Sequence, residues 1–154
     1  MTSSPFNSPF ELGMRMAFIL QALRPRTADL QTLVLLDYAL VYSADLDGPS
    51  SLHTPVPQRN SEVYARRALI EEGLYLMSLK GIVSANFGED GIVYLAGPRC
   101  RQLVNAFTSR YALELERRAT WVADAFGDTS FDELTRVFDV EGQSWGAEFA
   151  NIIS

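Results

Sequence analysis

A mainly helical fold with one β-hairpin is predicted for this chain, and three observations carry the prediction. Apolar residues recur at three- and four-residue spacing along most of the 154 residues. Only residues 82–95 combine β-branched and aromatic density with the glycines a tight hairpin needs. That stretch follows directly on the longest helical pattern, 60–80. A long third helix running into a hairpin is the core of a winged-helix-like domain. The expected architecture is therefore three helices plus a β-hairpin wing, with additional C-terminal helices over 99–154. By size, 1–154 reads as one domain.

The elements are taken in order. Residues 1–9 form a short Ser- and Pro-rich arm that Phe6 and Phe10 can anchor. Ser8, Pro9 and Glu11 match a capping box with proline at the first helical position. The first helix should run to Leu23 on a stripe of Leu12, Met16, Ile19, Leu20 and Leu23, and end at Arg24-Pro25, since proline disfavours helix at the residue before it. Thr27 or Asp29 starts a second helix that ends near Ala44 and is apolar nearly all round, which implies burial on two sides. Asp37 falls within its apolar face. Residues 45–59 read as a loop, from Asp47-Gly48-Pro49, Pro55 and Pro57. A loop of that length is usually functional or mobile.

Asn60 or Ser61 caps the third helix. Val63, Ile70, Leu74 and Met77 line one side, while Tyr64, Ala68, Tyr75 and Leu79 recur on the other. One face must serve the core; the other meets another helix of this chain or a partner. Gly81 is the natural stop. Strands are expected at 82–87 and 92–95, joined through Gly88-Glu89-Asp90-Gly91 with glycines at positive φ. Further helices are expected at 99–109, 111–126 and 131–138, the last capped by Ser130. A helical tail over 141–154 would set Trp145, Phe149 and Ile152 on one side.

Composition narrows the function classes. The net charge is −6, and affinity for DNA phosphates needs clustered cations, so a free-standing DNA binder is disfavoured while a local basic patch stays open. Cys100 is the single cysteine, which excludes an internal disulfide and fits a reducing compartment. The polar N-terminus lacks a signal-peptide pattern, and Asp37 interrupts the apolar run Leu33–Leu36, so no segment is expected to span a bilayer and the expected address is the cytoplasm.

No chemistry-bearing constellation emerges. His53 is the only histidine, and Ser50, Ser51 and Cys100 lack the context of an activated nucleophile, so His53 reads as a structural or interface loop residue. One His and one Cys make no zinc site; Asp45 and Asp47 lack the later carboxylates of a calcium loop; neither Gly88 nor Gly91 opens a phosphate-binding loop. No enzymatic activity, catalytic residue, metal or cofactor is expected. Asp37 needs a cation if buried. The plainer reading is a structural ion pair with Arg66 or Arg67 on the third helix, with Arg15 available on the first; Arg67 and Glu71 could instead pair at the surface. The wing tip, Glu89 and Asp90, would repel a DNA backbone. The aromatic and aliphatic second face of the third helix suits a protein partner, unless the C-terminal helices cover it.

Several short motifs stand in a specific order: Asp29-Leu30-Gln31, then Leu33-Val34-Leu35-Leu36-Asp37-Tyr38, then Gly48-Pro49-Ser50-Ser51-Leu52-His53 and Pro55. Arg66-Arg67, Ile70-Glu71-Glu72-Gly73-Leu74 and Lys80-Gly81-Ile82-Val83 follow. Together they resemble the middle component of bacterial ABC-three-component (ABC-3C) systems, from Phe6 to about Trp121, with a weaker echo in Trp145-Gly146-Ala147-Glu148-Phe149. The resemblance implies a non-enzymatic accessory subunit encoded beside an SMC-like ABC ATPase and an effector, expected to be a nuclease. It is similar to the small accessory subunit of Lamassu-type complexes that defend against phage and plasmids. ATP hydrolysis and DNA cleavage would belong to the partners, with DNA met only indirectly and no membrane involved. The candidate partner-binding residues are Tyr64, Tyr75, Leu79, His53, Trp145 and Phe149. The alternative is a winged-helix transcriptional regulator that binds DNA itself.

Overall fold

The computed structural model describes residues 8–52 and 59–141. The order is α1 (Pro9–Leu23), α2 (Leu30–Val41), a 3-10 turn (Ser43–Leu46), α3 (Arg59–Leu79), β1 (Val83–Gly88), β2 (Gly91–Ala96), α4 (Cys100–Ala106), α5 (Arg110–Phe126) and α6 (Phe131–Glu141). The described part is mainly helical with one antiparallel hairpin.

The helix starts are set by side-chain caps. Ser8 accepts from the Glu11 amide, Asp29 from Thr32, Ser109 from Ala112 and Ser130 from Glu133, each about 3 Å away. Each side chain satisfies an amide that the first turn leaves without an intrahelical partner. Asp29, not Thr27, is therefore the start of α2. That helix is also shorter than its sequence pattern suggests: it stops at Val41, and the chain tightens into the 3-10 turn, which Asp47 ends in the left-handed region at φ 60°. The helix expected over 99–109 is likewise only Cys100–Ala106, because Phe107 is already extended.

The apolar stripe predicted for α1 understates its burial. Every residue from Leu12 through Leu20 is buried, because α1 is the central helix, with α3, α5, α4, β2 and α2 all packed around it. The tightest of these contacts is with α3. A Cβ on Gly73 would stand 2.5 Å from the Gly13 nitrogen and 2.6 Å from the Pro9 oxygen, so the two helices cross backbone on backbone. On α3 the inward positions are Arg66, Ile70, Gly73, Leu74 and Met77, one stripe at helical spacing. In α2 every residue from Leu33 through Val41 is buried, as its all-round apolar character implies.

The strands pair from Val83↔Ala96 to Gly88↔Gly91, the first one residue further along than expected and the second one residue longer at each end, leaving Glu89-Asp90 as a two-residue turn. Gly91, the residue after that turn, carries a positive φ, +110°, while Gly88, Glu89 and Asp90 do not, so the positive φ falls outside the two turn residues. Ala28, in the segment between α1 and α2, exchanges two backbone hydrogen bonds with Tyr94 (3.0 and 2.8 Å). The hairpin is thereby fastened to the helical body. α5 then packs on α1 and α2, and α6 on α2, where Phe138 meets the Tyr38 ring edge-on at 6.1 Å. The helical tail expected beyond 141 lies outside the described residues.

Candidate interaction surface

Behind α3 a cluster of three charged side chains enters the core. Asp37 is fully buried on α2. Arg15, from α1 and equally buried, donates from Nε to Oδ1 (2.8 Å) and from Nη2 to Oδ2 (3.0 Å). This is the two-pronged geometry that suits a guanidinium to a carboxylate. Arg66 on α3 brings its Nε to 3.4 Å from Oδ2, and its guanidinium lies 5.4 Å from the centroid of the Tyr42 ring. One carboxylate thus ties three helices together. Burial alone would lower the Arg15 pKa, but the Asp37 charge and its hydrogen bonds hold it above its ordinary value. Arg67 does not share this role. Its neighbour Arg66 occupies the inward position, and Arg67, a step further round α3, is only half-buried.

The opposite face of α3 is open. Tyr75 is 63 % exposed and Leu79 67 %, with Ala68, Glu71 and Glu72 exposed between and beside them. The described C-terminal helices do not cover this face; they dock on α1 and α2 instead. The side chain of Tyr64 lies outside what the structure describes, as do His53, Trp145 and Phe149. Phe87 (80 % exposed) faces Ile92 across the hairpin, directly beside the acidic turn.

Two groups of residues escaped the sequence reading. Arg118 on α5 clasps the loop after the 3-10 turn: Nε donates to the Ser50 carbonyl (2.9 Å), Nη2 to the Ser50 hydroxyl (3.1 Å), and Nη1 binds Glu114. The Trp121 ring lies against Gly48, leaving no room for a side chain there. The start of the loop that leads to His53 is therefore anchored to α5. Elsewhere, Tyr111 donates to Glu11 at 3.2 Å beside an apolar recess of about 280 Å³ lined by Phe10, Met14, Phe18 and Phe107. Neither group could be found from spacing, because each joins residues about 70 or more positions apart.

The Cys100 thiol is buried, donates to the Ala17 carbonyl at 3.2 Å, and is pushed up to about 11 by burial, with Arg24 only partly offsetting. Among the described residues there is no group of three or more His, Cys, Asp or Glu side chains placed to hold a metal ion. No described helix is long and apolar enough to cross a membrane.

The family model for the ABC-three component (ABC-3C) system Middle Component 2 matches residues 5–148. The chain belongs to this middle-component family. The match takes in every described element, from the Ser8 cap to the end of α6, and reaches past Trp145. A middle component of a multi-component system has an accessory role and protein partners. No curated protein and no solved structure matches the chain.

Proposed function

We propose that this middle component is a non-enzymatic adaptor that links an SMC-like ABC ATPase to an effector, a nuclease, in a bacterial anti-phage and anti-plasmid complex of the Lamassu kind. The observation that carries the reading is the uncovered aromatic and aliphatic face of α3. Tyr75 and Leu79 are large, mostly exposed, and held on a helix whose other side is locked by Asp37 and Arg66. Large apolar side chains on a rigid helix suit the centre of a protein interface. Tyr64, about three turns up the same helix from Tyr75, would extend the face; His53, Trp145 and Phe149 are further proposed contacts. On this reading ATP hydrolysis and DNA cleavage reside in the partners, the chain acts in the cytoplasm, and it needs no cofactor of its own.

We read the fold as winged-helix-like. The Ala28–Tyr94 bridge supports this, since it sets the segment between α1 and α2 beside the hairpin, behind three packed helices. The same layout favours the rival reading, a DNA-binding regulator. Against that rival stand Glu71 and Glu72 on the open face of α3 and Glu89 and Asp90 at the hairpin turn, all exposed and all repelled by phosphate.

Co-expression with the ATPase and the effector of the same operon tests the adaptor reading. The wild-type chain should be retained by a tagged partner. The Tyr75→Asp/Leu79→Asp double variant should fold but lose that retention. Retention equal to wild type would sink the surface assignment. Specific, steeply salt-dependent shifts of the chain's own promoter DNA would favour the regulator instead.

A further inference from the structure

Just beyond Leu79 the surface changes sign. A groove of about 360 Å³ lies between the end of α3, the start of β1 and α4, lined by Lys80, Ile82, Arg99, Gln102, Leu103 and Ala106. Its floor is apolar, from Ile82, Leu103 and Ala106, and its rim carries two cations and an amide. On α4 the lining positions are Gln102, Leu103 and Ala106, one helical face that continues from Arg99.

The charge of this region is unlike that of the chain as a whole. The net charge is −6, yet no Asp or Glu occurs between Glu72 and Glu89, or between Asp90 and Glu114. Those two carboxylate-free stretches are the ones that build the groove. Glu72 itself lies two turns up α3 from Lys80, roughly 12 Å along the axis. Arg24 stands near Cys100 at the start of α4, and Arg101 is exposed beside it, which brings two more cations to this end of the helix.

The groove is also rigid. Gly81, at φ +72°, turns the chain out of α3, and the Arg99 stem packs over it, 3.3 Å from where a Cβ would sit. The Arg99 amide donates to the Gly81 carbonyl (3.0 Å) and the Gly97 amide to the Ile82 carbonyl (2.8 Å), which locks the α3 exit to the α4 entrance. A site already in its bound shape loses little conformational freedom on binding.

We propose that this groove docks an acidic segment of a partner protein, one apolar side chain entering between Ile82, Leu103 and Ala106 and its flanking carboxylates pairing with Lys80 and Arg99. Charge complementarity argues for an acidic occupant, and the apolar floor for a peptide over nucleic acid. The groove continues the Tyr75–Leu79 face, so one partner would span both. The inference rests on the adaptor reading, and the test separates the two.

The three components are co-expressed, and recovery of the middle component on a tagged partner is measured at low and high sodium chloride. Wild type should be retained, and its affinity should fall with salt. Lys80→Glu/Arg99→Glu should weaken retention at least tenfold at low salt, and Gln102→Glu, which removes no cation, should weaken it in the same direction. Lys80→Arg/Arg99→Lys should restore it. If wild type is retained and both acidic variants match it at both salt concentrations, the groove assignment is overturned while the adaptor reading stands. If wild type is never retained by either partner, the adaptor reading itself fails. If the acidic variants lose binding to a short DNA duplex that wild type binds, with partner retention unchanged, the groove is a phosphate site and the proposal is overturned.

Discussion

Gly13 on α1 and Gly73 on α3 meet backbone to backbone, so closely that a methyl group on Gly73 would stand 2.5 Å from the Gly13 nitrogen. The nearest atoms to a side chain on Gly73 are all α1 backbone, which does not yield as a flexible side chain would. The approach matters beyond α1 and α3, since it sets how near Arg66 comes to Asp37 and where the outer face of α3 points.

Gly73→Ala should therefore destabilise the protein. The gain in helix propensity is about 1 kcal/mol, and overpacking at a rigid contact costs about 1–3 kcal/mol, so a net loss is expected. Gly88→Ala is the control. Nothing lies nearer than 3.8 Å to a Cβ at that strand position, so it should be neutral or slightly stabilising, by up to about 0.5 kcal/mol. Urea midpoints compare the two; a Gly73→Ala protein as stable as wild type would show that the helices can slide apart cheaply.

Asp37→Ala leaves the buried Arg15 guanidinium without the carboxylate that accepts from its Nε and Nη2. Breaking a buried ion pair by removing one partner costs about 3–5 kcal/mol, which is a large share of the stability of a domain of this size. Arg67→Ala, which touches no part of that network, should stay within about 0.5 kcal/mol of wild type. Equilibrium unfolding of the two variants checks both figures. Equal losses would mean that Arg67 carries structural charge after all.

Glu11 predicts a pH dependence. Burial lifts its carboxyl above the ordinary 4.5, with Arg15 and the Tyr111 hydroxyl partly offsetting. Between 4.5 and the raised native value the folded chain holds a proton that the unfolded chain has released. The slope of unfolding free energy with pH is then negative. The Glu11 contribution is most favourable below that window and is lost as pH rises through it. Glu11→Gln removes the titration and should lose less stability than wild type between mildly acidic and neutral pH. Parallel curves for the two proteins would refute it.

Much of the frame was legible because it is local. Caps such as Ser8 and Ser130, the Arg24-Pro25 stop and the Gly81 exit are written within a few residues of the elements they bound. Asp37 was also legible as a problem, since a carboxylate on an apolar face demands a cation. Which cation was not. Arg66 falls on the Ile70, Leu74 and Met77 stripe and Arg67 a step round from it, but the two-pronged partner is Arg15 on α1, and its reach to Asp37 depends on how α1 and α2 pack. The full burial of α1 was hidden for a related reason: its second and third apolar sides depend on α4 and α5, whose arrival is a matter of topology. The Arg118 clasp on Ser50 and the Tyr111–Glu11 pair join distant positions and leave no periodic trace. The basic groove left a faint one, in two stretches empty of carboxylates on an acidic chain.

Lys80 is the chain's only lysine, and it is exposed on the rim of that groove. Apart from the α-amino group, the chain therefore presents a single amine to acylating reagents. A chemical label read by mass would report on one defined spot of the surface. Whatever covers the groove in an assembled complex would leave its footprint on that one side chain, with no need to alter the sequence.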